Sequence, residues 1–133
     1  DIKDDYMTFR SCGDKVFWKN LAIQGNVLFV CEPLNYFRIH NAKVTTNSIA
    51  SGLLFEEENR FFHMNINDGF IDSGNRMEII DYFLKYIENT KPQFLSESVY
   101  DKCKDLWLRE CDYRNKKLPL LFRLRCLFRK QAP

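Results

Sequence analysis

The sequence predicts an α+β fold that is mostly helical, with a short two-stranded β element at about residues 27–40 and about five helices. A continuous β-branched and aromatic run, followed by an alternating run, indicates the strands. Apolar residues that recur three and four positions apart on either side of this segment indicate the helices. With 45% hydrophobic residues among its 133, the chain can form one hydrophobic core.

The first predicted element is a short helix from Asp14 to about Gly25. Phe17 and Leu21 recur at helical spacing, and Gly25 stands where a helix stops. Asp14 has two interpretations, because the helix dipole favours an acidic residue in the first turn whether or not that residue takes part in chemistry. A helix-capping role and a catalytic role therefore both stay open at this position.

The two-stranded element is predicted from residues 27–31 and 34–40, which Pro33 separates. The first run has the composition of a strand that is buried on both faces. In the second run, the period of two places Arg38 and His40 on the same face. A pair of polar side chains is therefore expected at the end of one face of the second strand.

Four more helices are predicted after residue 47. They cover residues 48–64, 77–88, 96–110 and 118–130. Turns are predicted between the first two of them, at residues 67–69 and 72–75. The clearest amphipathic stripe belongs to the second of them and consists of Ile80, Phe83, Leu84 and Ile87. The acidic run at 56–58 is interpreted as a solvated helix face.

Several other side chains are assigned to the core or to structural roles. Trp18 and Trp107 are expected to pack in the core, although aromatic faces also suit contact with sugar rings. His63, which lies among apolar neighbours, is interpreted as structural. The five cysteines show no zinc-binding spacing and are expected to be reduced structural thiols.

The charge and hydropathy of the chain exclude some classes of protein. The 20 Lys and Arg residues against 18 Asp and Glu residues give a net charge of +2, which is too balanced to indicate nucleic-acid binding. No stretch has the roughly 18 consecutive apolar residues of a membrane span. The sequence therefore predicts a cytoplasmic protein that does not bind nucleic acid.

Two neighbouring blocks of sequence resemble the end of the catalytic domain in inverting family 2 glycosyltransferases of bacteria. The blocks are Gly13-Asp14-x-x-Phe17-Trp18-x-x-x-Ala22-x-x-Gly25-x-Val27-x-Phe29 and Glu32-Pro33-Leu34-Asn35-Tyr36-Phe37-Arg38-x-His40-x-x-x-Val44-Thr45. The resemblance implies a GT-A fold from which the nucleotide-binding half is missing. Residues 1–46 would be the acceptor-side end of the catalytic domain, and residues 47–133 a helical C-terminal extension packed with it as one unit.

The resemblance also implies a reaction and its participants. A nucleotide-diphospho-sugar would donate a sugar, with inversion, to a saccharide or lipid-linked acceptor. A divalent metal, Mn or Mg, would be held by an Asp-x-Asp motif, which is absent from this sequence. The chain, which starts with Asp1 rather than Met, is therefore expected to be a fragment that is inactive alone and holds no metal by itself.

Three residues match functional positions of the family. The resemblance implies that Asp14 is the general base, that Arg38 and His40 contact the donor diphosphate, and that His40 is also a metal ligand. A carboxylate at the acceptor hydroxyl would take its proton as the oxygen attacks the anomeric carbon. The chain departs from the family in carrying Gly13 where many members have Glu.

Two alternatives accompany this assignment. The chain could be a non-catalytic interaction module that keeps the same sequence block as a scaffold. Residues 116–130 form a basic amphipathic pattern, which suits either peripheral contact with the inner face of the membrane or packing on the preceding helix. The unpaired edges of the predicted strands also favour a homodimer.

Overall fold

The computed structural model describes residues 6–28, 32 and 44–112. The helices are α1 (Gly13–Ala22), α2 (Val44–Ala50), α3 (Leu53–Asn67), α4 (Arg76–Asn89) and α5 (Glu97–Asp112), and a 3₁₀ turn covers Lys91–Gln93. Helical structure accounts for 72% of the described residues, and none of these residues lies in a strand. The described part of the chain is therefore all-α.

The predicted α+β class is wrong for the described residues. Of the segment expected to form two strands, only Val27, Leu28 and Glu32 are described, and they belong to no regular element. The rest of residues 27–40 lies outside the described residues. A β-branched run makes a stable strand only when a sheet pairs with it, and the described residues supply no neighbouring strand.

The helix predicted at 48–64 is in fact two helices, α2 and α3, which Ser51 and Gly52 separate. Gly52 has a φ of +80°, a conformation that disfavours any residue with a Cβ. A Cβ at this position would also lie 2.7 Å from Cys103 Sγ on α5. The break therefore lets the chain turn sharply where α5 approaches its backbone.

Local signals delimit the longer helices. After α3, Gly69 adopts a φ of +78°, and its N–H donates to the carbonyl of Ile66 (3.1 Å). Before α4, the Asp72 carboxylate accepts N–H bonds from Gly74 (2.7 Å) and Asn75 (3.0 Å). These turns lie where the sequence predicted them.

The core lies where α5 packs against α3 and α4. The stripe predicted on α4 is confirmed, since Ile80, Phe83, Leu84 and Ile87 are all buried. Trp107 of α5 is fully buried, as predicted, and its ring stacks on Phe83 with centroids 4.2 Å apart. Within the described ranges, no helix has both the length and the apolar character needed to cross a lipid bilayer.

Cys12 and Cys103 are free thiols, and both are buried, as is Cys111. Burial, with added repulsion from Glu58, raises the pKa of Cys12 to about 12. Burial likewise raises the pKa of Cys103 to about 11, with a smaller contribution from Glu56. Both thiols should therefore remain protonated, and poorly nucleophilic, at neutral pH.

We expect Cys12 and Cys103 to resist iodoacetamide in the native protein at pH 8 and to react fully in urea. Peptide mass spectrometry of the labelled protein measures each site separately. Because folding raises both pKa values above the usual 9.0, their stabilising contribution is complete below pH 9. That contribution is lost as the pH rises toward the folded-state pKa values. Rapid native labelling of Cys12 at pH 8 would contradict the prediction.

Candidate functional site

The start of α1 is held in place by one buried carboxylate of α3. Glu57 is only 3% exposed, and its two oxygens accept the backbone N–H groups of Arg10 (2.7 Å), Ser11 (2.7 Å) and Cys12 (2.9 Å). The first N–H groups of a helix, and those just before it, lack partners within the helix. Glu57 supplies an anionic partner for them, so the position of Asp14 in the next turn depends on α3.

The interpretation of the acidic run as a solvated face is wrong for two of its three residues. Glu57 and Glu58 are buried, and only Glu56 remains substantially accessible. The local sequence did not indicate this burial, because the groups that pair with the two carboxylates lie more than 40 residues earlier in the sequence. Long-range pairing is what makes the burial of these two charges tolerable.

Asp14 lies in the first turn of α1, and its side chain is exposed. The backbone N–H of Lys15 donates to its Oδ1 at 2.9 Å. Among the described residues, no lysine or arginine forms an ion pair with this carboxylate. The Asp14 carboxylate therefore faces solvent, which agrees with both a helix-capping role and a catalytic one.

Lys15, beside Asp14, is directed to a different carboxylate. Its ammonium group pairs with Glu58, whose side chain is 7% exposed. Burial lowers the pKa of Lys15, but the hydrogen bond and charge of Glu58 outweigh this effect and raise the pKa above its usual value. Lys15 and Glu58 therefore form a charged pair across the contact between α1 and α3.

Asp14, Lys15 and Glu58 line one cavity of about 320 Å³ between α1, α3 and α4. Thr45 of α2 and Tyr82 and Tyr86 of α4 also line it, and the ring centroids of the two tyrosines are 6.1 Å apart. Burial raises the pKa of Tyr86, and the nearby Tyr82 and Glu58 raise it further, so the phenol keeps its proton at neutral pH. The cavity thus combines carboxylates, an ammonium group, hydroxyls and aromatic rings.

The other predicted site residues cannot be placed beside Asp14. Arg38 and His40 lie outside the described residues, and so does the predicted membrane-contact segment at 116–130. Within the part of the chain that the structure describes, no group of three or more His, Cys, Asp or Glu side chains is placed to hold a metal ion. The described residues alone therefore do not form the metal site that the resemblance implies.

His63 is one partner in a polar cluster on the opposite side of α3. Its Nε2 lies 2.9 Å from Glu110 Oε1, and Arg76 Nη2 lies 3.8 Å from the other oxygen of Glu110. This arrangement joins α3, α4 and α5 and agrees with the structural role predicted for His63. Sequence spacing did not indicate the cluster, because its three members lie on three different helices.

Trp18 does not pack in the core, contrary to its prediction. Its side chain is 65% exposed and touches Phe17 edge to face, with ring centroids 5.4 Å apart. Other large apolar residues are exposed on α1 and the segment after it: Leu21, Ile23, Val27 and Leu28. We call these five residues, Trp18 included, the α1 apolar face.

We expect Glu57→Gln to lower the free energy of unfolding by about 2 kcal/mol, because a charge-assisted acceptor is lost and an amide N–H₂ faces backbone donors. Glu56→Gln is the matched control on the same helix. Glu56 pairs with Lys102, whose side chain is 73% exposed, and solvent-exposed ion pairs of this kind contribute little to stability. Urea unfolding of both variants measures the difference, and equal effects would contradict the assigned role of Glu57.

Comparison of the chain with family models, with curated proteins and with solved structures found no match in any of the three.

Proposed function

We propose that this chain is the acceptor-side part of an inverting glycosyltransferase, in which Asp14 is the general base. The observation that carries the proposal is the setting of Asp14. Its carboxylate is exposed and lines a cavity with mixed polar and aromatic walls. The resemblance of residues 6–46 to family 2 glycosyltransferases supports the same assignment.

The proposed chemistry needs a carboxylate that is ionised, accessible and fixed in place. The hydroxyl of a sugar acceptor is a weak nucleophile at neutral pH, so a base must accept its proton while the oxygen attacks the anomeric carbon. The O–C bond to the donor sugar forms as the bond to the diphosphate breaks, and the proton moves to Asp14. A single displacement of this kind inverts the anomeric centre.

Positioning of the base follows from the contacts around it. Misplacement by about 1 Å can cost about a hundredfold in rate, so the turn that carries the base must be rigid. Glu57 provides that rigidity through its three backbone hydrogen bonds. Lys15 forms its ion pair with Glu58 and not with Asp14.

The proposal is tested by calorimetric titration of UDP-sugars with Mn²⁺ into this chain and into a protein in which a nucleotide-binding half precedes it. We expect the extended protein alone to bind the donor, because the resemblance assigns the nucleotide site to the preceding half and the described residues form no metal-binding group. Addition of saccharide acceptors to the extended protein should then give transfer with inversion. Failure of the extended protein to bind any nucleotide-sugar would contradict the proposal.

A second function is favoured by the α1 apolar face. Leu28 is 87% exposed and Val27 is 73% exposed, and exposed apolar patches of this kind mark surfaces that bind other proteins. A non-catalytic interaction module would use this face for a protein partner or for a second copy of the chain. Such a module would bind without a nucleotide-sugar, so the donor titration separates the two functions.

A further inference from the structure

We infer that the cavity between α1, α3 and α4 is a binding subsite for one sugar ring of the acceptor, with Tyr82 and Tyr86 as its recognition residues. This inference rests on the proposed function, because it takes the acceptor as the ligand. It assigns ligand binding to α4, which lies beyond the sequence blocks that resemble glycosyltransferases. The size, charge and aromatic surface of the cavity support the assignment.

The size of the cavity limits its ligand to a small molecule or the end of a larger one. Its volume of about 320 Å³ lies at the lower end of the roughly 300–1,000 Å³ usual for ligand sites. One pyranose ring fits this space, whereas a longer saccharide would extend into solvent. The terminal unit of an acceptor chain is therefore the best match in size.

The charges of the cavity favour a neutral ligand with many hydroxyl groups. Asp14 and Glu58 contribute two carboxylates, and Lys15 contributes one ammonium group that already pairs with Glu58. A phosphate or carboxylate ligand would meet net negative charge here. A sugar instead donates hydroxyl protons to carboxylates and accepts hydrogen bonds from phenol groups, which suits the lining.

The aromatic residues supply both a fixed hydroxyl and an open ring face. Tyr86 is anchored because its ring packs edge-on against the fully buried Phe55, with centroids 5.4 Å apart. Tyr82 is 61% exposed, so a ligand at the rim can cover its ring. Asp14 lines the same cavity, so a sugar held by these two tyrosines would lie beside the proposed base.

The test is a nuclear magnetic resonance titration of the ¹⁵N-labelled chain with methyl β-glucoside, methyl β-galactoside and the methyl glycoside of N-acetylglucosamine. We expect at least one of them to shift the backbone amide signals of Thr45, Tyr82 and Tyr86. The amides of Asp101 and Lys104, which line a separate cleft between α4 and α5, should not move. No shift with any of the three sugars, or shifts confined to other regions, would overturn the inference.

Two variants with matched chemistry sharpen this test. Tyr86→Phe removes one hydroxyl and keeps the ring against Phe55, so it should weaken sugar binding by roughly 3- to 10-fold. Tyr100→Phe removes a hydroxyl from the separate cleft and should leave binding unchanged. Equal affinity in the wild type and Tyr86→Phe would remove Tyr86 from the site. If Tyr86→Phe does not fold, Tyr82→Ala at the exposed rim replaces it.

Failure of this inference and failure of the proposed function give different results. The titration needs no donor and no turnover, so it measures the sugar site alone. Donor binding by the extended protein without any sugar-induced shift would leave the function standing and discard the subsite. Sugar binding without transfer in the extended protein would keep the subsite and discard the enzymatic function.

Discussion

Asp14→Asn should reduce sugar transfer by about 10² to 10⁴ in kcat while donor binding stays nearly unchanged. General-base catalysis contributes a factor of this size, and an amide cannot accept the proton. Asparagine keeps the shape of the side chain. It also retains an oxygen that can accept the backbone N–H of Lys15, which lies 2.9 Å from Asp14 Oδ1 in the wild-type protein. The variant therefore tests the charge of Asp14 and leaves its packing intact. Initial-rate assays on the extended protein measure kcat and KM separately.

The control for this prediction is Asp105→Asn. Asp105 is an exposed aspartate on α5, and it lines a different groove. Its replacement should leave both kcat and KM unchanged. Equal turnover by Asp14→Asn and the wild-type protein would remove Asp14 from the mechanism and leave it a residue that supports the start of α1.

Trp107→Ala should lower the free energy of unfolding by about 4 kcal/mol, the usual cost of truncating a buried tryptophan. Trp107 is 0% exposed and lies between the rings of Phe83, at 4.2 Å, and Phe62, at 5.5 Å. Its Nε1–H also donates to the carbonyl of Phe55 at 3.2 Å. Removal of the indole therefore leaves a large cavity and a buried carbonyl without its donor. The urea midpoint, followed by circular dichroism, should fall by roughly 2 M.

Trp18, the other tryptophan of the chain, provides a matched control. Trp18 is 65% exposed, so Trp18→Ala should change the free energy of unfolding by less than about 1 kcal/mol. Trp107→Phe keeps a ring at the buried position and should be less destabilising than Trp107→Ala, which matters if the alanine variant does not fold. Similar losses in Trp18→Ala and Trp107→Ala would contradict the assigned core.

The sequence could predict elements whose signals are local. The spacing of Ile80, Phe83, Leu84 and Ile87 determines the buried face of α4 without reference to any other helix. The turn at Asp72 is local in the same way, because its carboxylate bonds to backbone groups two and three residues ahead. The buried face of α4 and the turn before it were therefore predicted correctly.

Features that depend on distant contacts could not be predicted in this way. Gly52 breaks the predicted helix next to Cys103, which is 51 residues away in sequence. Glu57 is buried because backbone N–H groups up to 47 residues earlier bind it. For the described residues, the strand prediction was wrong for a related reason, since a β-branched run near Val27 indicates a strand only if a partner strand exists.

The proposed site shows the same difference between local and distant signals. Asp14 was predicted from its sequence block, whereas Tyr82 and Tyr86 carry no local signal that links them to it.

The hydrogen bonds between Glu57 and the segment at the start of α1 also limit which segments of other proteins could replace residues 47–133. Residues 47–133 look exchangeable in sequence, since they begin after the block that resembles a known enzyme family. An exchange at that point would nevertheless remove the carboxylate that binds Arg10, Ser11 and Cys12. A chimera would keep the start of α1 in place only if the incoming segment carried a hydrogen-bond acceptor at the position equivalent to Glu57. The constraint falls on that position alone, because every residue except proline supplies the backbone N–H group that is needed at residues 10–12.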